Sequence, residues 1–378
     1  LFAVRLSQIF LSTKTPHIHI AQEFRMKKFL GLAAVALALG IAADASAIDA
    51  IRKVGNARVS GTIKSVSATE VNIDVQGTLT KVPVNEIESI QFEGEPSEMN
   101  LARSALKSGG DQSALTTLGR IQANTLTRKE VKQDYEFYAA LAQARMALRN
   151  AGNMQQAGTA VFNFVTNQKD SYHYFEAVET MGNLLVALDK VDDALGYYGQ
   201  LEASPFDDLK MRAGVARGKA LMKQGKFPEA QAAFEAVLKL PFNPMTQKGT
   251  MAESQRFAAV LGRTQCQAEN KEYDAAIKEL EENVIANLNP EESALQAQAY
   301  VTLGNCYNAK PDGKKAALLA FLHVDVLYGG VPAAHAEALW NLANLWTDLG
   351  KNERGQECVN RLNRLYPGSP WITKKRPT

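Results

Sequence analysis

The sequence predicts a mainly α protein: a right-handed α-solenoid of about seven helical hairpins, preceded by a small β-barrel-like module. Three observations predict this. From Glu98 onward, apolar residues recur at steps of three and four, in segments that repeat at a period near forty. Between residues 48 and 94 the apolar period falls to two, the mark of half-buried strands. Hydrophobic residues make up 46% and charged residues 22% of the chain, ordinary values for a folded globular protein with a core.

Ahead of these segments the sequence reads as targeting material. Lys27 and Lys28 follow Met26, and the apolar run Phe29–Ala43 follows them. Ala45-Ser46-Ala47 has the small-residue pattern of a cleavage site. Together they predict a secretory signal peptide over Met26–Ala47, with residues 1–25 as an upstream extension. The apolar run is short for a membrane span of about 20 residues, so cleavage is expected to leave no stable span. No cysteine follows for acylation. The expected address is therefore periplasmic or secreted. Removing residues 1–47 takes away five basic and two acidic residues and moves the formal charge from +2 to −1. That balance gives no electrostatic footprint for nucleic acid and no basic patch for anionic lipid.

Residues 48–94 form the β-rich domain. Val59, Gly61 and Ile63 alternate with polar residues, as do Val71, Ile73 and Val75, then Val82 and Val84. Ile87, Ile90 and Phe92 close the set, and Gly77 marks a turn. Four or five short strands in so small a module are similar to an SH3-like or Sm-like barrel. Val82-Pro83 fits an edge strand or a bulge, because proline donates no ladder hydrogen bond. Such a module either binds a peptide or glycan strand or serves as a capping or dimerising domain. Glu93–Pro96 is the linker to the helical region, residues 98–378.

The hairpin pattern is plainest in Ala336–Pro367. Leu339, Leu342, Ala343 and Trp346 make the stripe of one helix, which Gly350 ends with a left-handed cap. Cys358, Val359, Leu362 and Leu365 make the stripe of the next, and Pro367 stops it. Earlier segments repeat the order: Gly218 with Leu221, Gly225, Phe227 and Ala230; Gly182 with Leu185, Val191 and Ala194; Gly304 with Tyr307, Gly313 and Ala316. A small residue lets two helices approach, and a small residue recurs near the start of the second helix. No single hairpin can bury both of its stripes, so neighbours must cover them.

The runs GKALMKQGKFPEAQAAF, GNLLVALDKVDDALGYY and ANLWTDLGKNERGQECV resemble the tetratricopeptide repeat. The small residue of the second helix falls at Ala114, Ala157, Ala194, Ala230, Ala276, Ala316 and Gly355, at spacings of 43, 37, 36, 46, 40 and 39. The family period is about 34, so the connections here are longer. Pro205, Pro241, Pro290, Pro332 and Pro367 separate successive hairpins. In the repeat around Tyr273 the glycine, Gly262, is displaced. An unrelated right-handed α-solenoid would share much of this pattern.

No catalytic or metal-binding constellation emerges. His173, His323 and His335 stand in no metal-ligand spacing. His323, in the apolar segment 321–327, reads as a packed imidazole. Gly225-Lys226 is followed by Phe227 rather than Ser or Thr, so it is no phosphate loop. The carboxylates Glu281, Glu282, Glu291 and Glu292 read as a solvated helix end and loop. No cofactor is implied, and the reading is that the protein is not an enzyme. Cys266 and Cys306 lie late in successive first helices, where either a disulfide or two buried thiols would fit; Cys358 is the third.

In the resembling family, the residue just after the small column of the first helix faces a concave groove. Here that residue is Asn183, Lys219, Asn305 and Asn344, with Gln265 at the displaced repeat. Amides can hydrogen-bond an extended backbone and a lysine can meet a carboxylate; the same amides can also simply be solvated. The resemblance thus implies an exported, non-enzymatic scaffold or adaptor whose groove holds a protein or peptide partner. The alternative is an envelope assembly or structural factor that binds envelope polymer through the β module.

Overall fold

The computed structural model describes residues 48–374, apart from 244, 246, 248, 249 and 288–291. The expected signal peptide, with Pro290 and Glu291, lies outside the described residues. Five strands come first: β1 Asp49–Lys53, β2 Arg58–Val66, β3 Glu70–Val75, β4 Thr78–Pro83 and β5 Ile87–Gln91. They form one antiparallel sheet in the order β4-β3-β2-β1-β5. Its register sets Val71 opposite Val82 and Ile51 opposite Ile90, so one face is apolar and buried. Gln76 and Gly77 both have positive φ, which suits the two-residue turn between β3 and β4. β4 is an edge strand and Pro83 ends it, where a missing donor costs least.

Fourteen helices follow among the described residues, paired as seven hairpins. They are α1 Ser97–Lys107 with α2 Asp111–Leu118, α3 Lys129–Leu148 with α4 Met154–Asn167, and α5 Tyr174–Ala187 with α6 Val191–Glu202. Then come α7 Asp207–Lys223 with α8 Phe227–Lys239, and α9 Met251–Glu269 with α10 Tyr273–Glu279, which a π-helical turn, Leu280–Ile285, prolongs. α11 Ser293–Asn308 with α12 Lys314–Leu327, and α13 Pro332–Asp348 with α14 Asn352–Leu365, complete the array.

Six of the seven hairpins turn by the same device. Two residues past the first helix stands one residue in the left-handed region: Gly109, Asn150, Asp189, Gly225, Lys271 or Gly350. Glycine, asparagine and aspartate tolerate it at low cost. The exception is the turn from α11 to α12. Gly313 has φ −84° there, and glycine is needed because a Cβ would strike the Tyr307 carbonyl.

Close approach of the paired helices rests on glycine facing a ring. A Cβ on Gly182 would lie 2.5 Å from the Tyr198 ring, on Gly218 2.5 Å from Phe234, and on Gly304 2.7 Å from Phe321. Each of these rings is the eighth residue of its second helix. Gly262 faces Phe234 of the preceding hairpin instead, and the buried Thr264 takes the regular place in α9. That is the physical sense of its displacement.

The fourth residue of each second helix is small and buried: Ala114, Ala157, Ala194, Ala230, Ala276, Ala317 and Gly355. Ala317 replaces Ala316, which is only half-buried, because the irregular turn at Gly313 shifts the register by one residue. Val359 and Leu365 prove exposed, so the buried stripe of α14 is Cys358 and Leu362. His323 is likewise exposed; its ring stacks on Tyr300 at 4.7 Å. All three cysteines are free and buried, and burial pushes each thiol up to about 11.

Within each hairpin the helices pack side by side. Each first helix from α1 through α13 also touches the next first helix. The second helices sit between the first helices rather than against one another, so the first helices form the closer-spaced layer and line the inside of the stack. No helix among the described residues is long and apolar enough to cross a membrane.

The sheet shares its core with the array. Ile51, Ile73, Ile90 and Phe92 pack with Val131 of α3 and with Tyr172, just ahead of α5. Asp49 ties the two together. Its carboxylate accepts the N–H groups of Ile63 and Glu93, each at 2.8 Å, and both terminal nitrogens of Arg128, at 2.6 and 3.0 Å. The guanidinium also lies over the Phe92 ring at 4.7 Å. Burial alone would push the Asp49 carboxyl up, but these bonds more than offset it and hold its pKa below the usual range.

Candidate functional site

In four first helices a groove candidate stands six positions before the left-handed turn residue, while the same count from Asn150 reaches the fully buried Ala144. Counting back from Asp189, Gly225, Lys271 and Gly350 gives Asn183, Lys219, Gln265 and Asn344, and Asn305 follows Gly304 in the same way. All five stand one residue past the small position of their first helix. The same count from Gly109 reaches Arg103 in α1, which composition did not single out. Arg103 is nearly buried and pairs with Glu95 and, at 3.4 Å, with Asp134.

Several column members bond within the protein. Tyr198 donates to Asn183 Oδ1 at 2.9 Å. Gln265 donates to Thr302 Oγ1 at 3.2 Å, and Asn305 donates to Glu337 Oε1 at 3.0 Å. The last two link one first helix to the next, so these amides hold the stack together. Asn344 is half-buried beside them. Lys219 differs: among the described residues it has neither a hydrogen bond nor an ion pair.

Lys219 also stands between two cavities. One, of about 370 Å³, is bounded by Asn183, Tyr198, Arg212 and Lys219, with Glu179 paired to Arg212 in its wall. The other, of about 430 Å³, is bounded by Lys219, Met222, Leu261, Gln265 and Gln298. Lys219 is exposed by area, yet the walls crowd it enough that desolvation holds its pKa below the usual lysine value. Burial pushes the Glu179 carboxyl up, and Arg212 only partly opposes this. The arrangement offers a cation poorly satisfied by its surroundings, flanked by amides and shallow apolar walls. It suits a carboxylate carried on an extended chain.

A third cavity, of about 480 Å³, opens where the sheet meets α1, α3 and α5, between Arg52, Glu88, Arg103, Tyr138, Arg145 and His173. Beneath it Asp134 is fully buried. Tyr172 donates to its Oδ2 at 3.2 Å, and His173 Nε2 lies 3.2 Å from its Oδ1. The His173 ring is held between Phe137 and Tyr172, each 3.9 Å away. These groups join the sheet end of the array. Sequence could not reveal the cluster, because its members come from β1, β5, α1, α3 and the stretch just before α5.

The tetratricopeptide repeat family profile matches residues 215–292, which run from within α7 past the π-helical turn. No curated protein sequence matches the chain. Among solved structures, the apo form of RapI aligns with 72% of this chain and 76% of its own at 10% identity and a TM-score of 0.51. A tetratricopeptide repeat protein from Parabacteroides merdae aligns with 73% of this chain and 94% of its own at 13% identity and a TM-score of 0.47. At such identity the likeness to RapI is one of fold alone. The helical repeats are of tetratricopeptide type, preceded by a small antiparallel sheet.

Proposed function

We propose that this protein is an exported, non-enzymatic adaptor that holds a protein or peptide segment along the inner face of its first helices. Lys219 meets a carboxylate of that segment, and Asn183, Gln265, Asn305 and Asn344 bond its backbone. The observation that carries the reading is the unpaired Lys219 ammonium between two cavities. A stacked array offers area rather than a deep pocket, which suits extended ligands, and repeats of this type typically serve protein–protein contact. The export half of the proposal rests on the sequence pattern over Met26–Ala47. No step in this function requires a cofactor. The test is a pull-down from the native envelope fraction with the unchanged chain and with a Lys219→Met, Gln265→Ala variant. Loss of a discrete partner from the variant is expected; an identical partner set from both proteins would refute the groove assignment.

A further inference from the structure

Past α14 the chain folds back. Residues Pro370–Ile372 form a short 3-10 turn, in which Ser369 Oγ accepts the Trp371 N–H at 3.3 Å. The Trp371 ring then lies 5.2 Å from the ring of Trp340 in α13. Lys374 Nζ stands 4.0 Å from the Trp371 centroid and 5.0 Å from that of Trp340, within cation–π range of both. The Lys374 carbonyl also accepts the Trp340 indole N–H at 3.3 Å.

The surface involved belongs to the groove. Glu337, Trp340 and Asn344 follow one another at steps of three and four, so they share one face of α13. Asn344 is a column residue, and Glu337 takes the hydrogen bond of another, Asn305. Burial pushes the Glu337 carboxyl up; Asn305 and the nearby Lys374 charge oppose this. An aromatic residue, a short turn and a lysine thus lie where an extended ligand would lie. The segment is held by the two ring faces, one main-chain bond and the partly buried Trp371 and Ile372 packed against the core of the last hairpins, while Lys374 itself is exposed.

We propose that Ser369–Lys374 is a tethered occupant of the last stretch of the groove. The partner whose place it holds is a peptide with a tryptophan followed three residues later by a lysine. The inference rests on the groove reading for its partner, but its geometry stands without it. Tethering gives the segment a high effective concentration, so a free peptide must compete with it. Releasing the segment uncovers the site and raises the apparent affinity in proportion to the fraction freed.

The probe is a fluorescently labelled peptide, Ser-Pro-Trp-Ile-Thr-Lys, followed by anisotropy on full-length protein. The unchanged chain is expected to bind it weakly. A Trp371→Ala, Lys374→Ala chain is expected to bind about tenfold tighter or better. Adding Trp340→Ala to that chain removes the gain. Adding Glu337→Arg instead weakens it, which covers the case in which Trp340→Ala unfolds α13. Equal affinity for the unchanged and released chains overturns the proposal, as does a gain that survives both groove substitutions. A dimer of the unchanged chain that depends on Trp340 would also overturn it, because the segment would then be exchanged between copies. If the probe behaves as expected while Lys219→Met, Gln265→Ala loses no partner, the upstream groove reading fails and this one stands. If that variant does lose its partner while the probe binds no released chain, the reverse holds.

Discussion

The two ends of the helical array are closed in opposite ways. At one end, a five-stranded sheet covers the first hairpins with a shared apolar core and an ion pair between the buried Asp49 and the half-buried Arg128. At the other, a few residues lie over α13, where Trp371 meets Trp340 and packs with Ile372 against the edge of the core. A stack of repeats leaves an unmatched apolar face at each terminus, and each needs a cover. The contrast teaches that covers differ in permanence. Opening the sheet end would expose the shared core and part the buried Asp49 from Arg128 in one step. The ring contacts at the far end can be exchanged for equivalent ones. Just beneath them the last hairpin is fastened separately: Asp325 takes Arg361 at 2.6 and 2.8 Å and His335 at 2.8 Å, and His335 Nδ1 lies 2.7 Å from the Tyr366 hydroxyl. Displacing the outer segment therefore need not unravel α14.

This asymmetry can be broken at graded points. The largest effect is expected for Asp49→Ala, which leaves the N–H groups of Ile63 and Glu93 without their acceptor and Arg128 with Glu130 alone. It should cost about 2–4 kcal/mol, read as a lower urea midpoint. Midway along the array, Gly218→Ala forces a methyl group against the Phe234 ring and should cost about 1–3 kcal/mol, with Tm as the readout. The far fastening should show in pH. Burial pushes the Asp325 carboxyl up, but the bonds from His335 and Arg361 more than offset it, taking its pKa to about 2 from an ordinary 3.8. A depressed carboxyl stabilises the fold above 3.8 and loses that contribution as pH falls through about 2. The loss should approach about 2 kcal/mol, and in Asp325→Asn the acid limb of the stability curve should flatten. Trp371→Ala should be the mildest, below about 1 kcal/mol. If it destabilised the chain as much as Asp49→Ala, the two ends would be equivalent and the contrast would fall.

Much of this architecture is legible in the residues. Steps of three and four announce the helices, and the small buried position of each second helix marks the hairpins from Ala114 to Gly355. The one-residue slip at Ala316 has a physical cause: the turn at Gly313 lacks the left-handed residue that fixes the count elsewhere. The shared register of Asn183, Lys219, Gln265, Asn305 and Asn344 is also legible, because each sits one step from the small position. What those side chains bond is not. Asn305 meets Glu337 and Gln265 meets Thr302 across successive repeats, and no local pattern records such pairs. The shared core of the sheet with Val131 and Tyr172, and the meeting of Trp340 with Trp371, are hidden for the same reason. His323 misleads because an apolar neighbourhood in sequence need not be an interior one in space.

The central claim is that the inner face of the first helices, with Lys219 at its middle, is where a partner lies. It is tested most directly by placing a photo-crosslinking amino acid at position 219, and separately at the exposed Lys239 of α8, in the producing cell. The account predicts a discrete adduct from position 219 and none from position 239. Equal adducts from both positions, or adducts from position 239 alone, would contradict it.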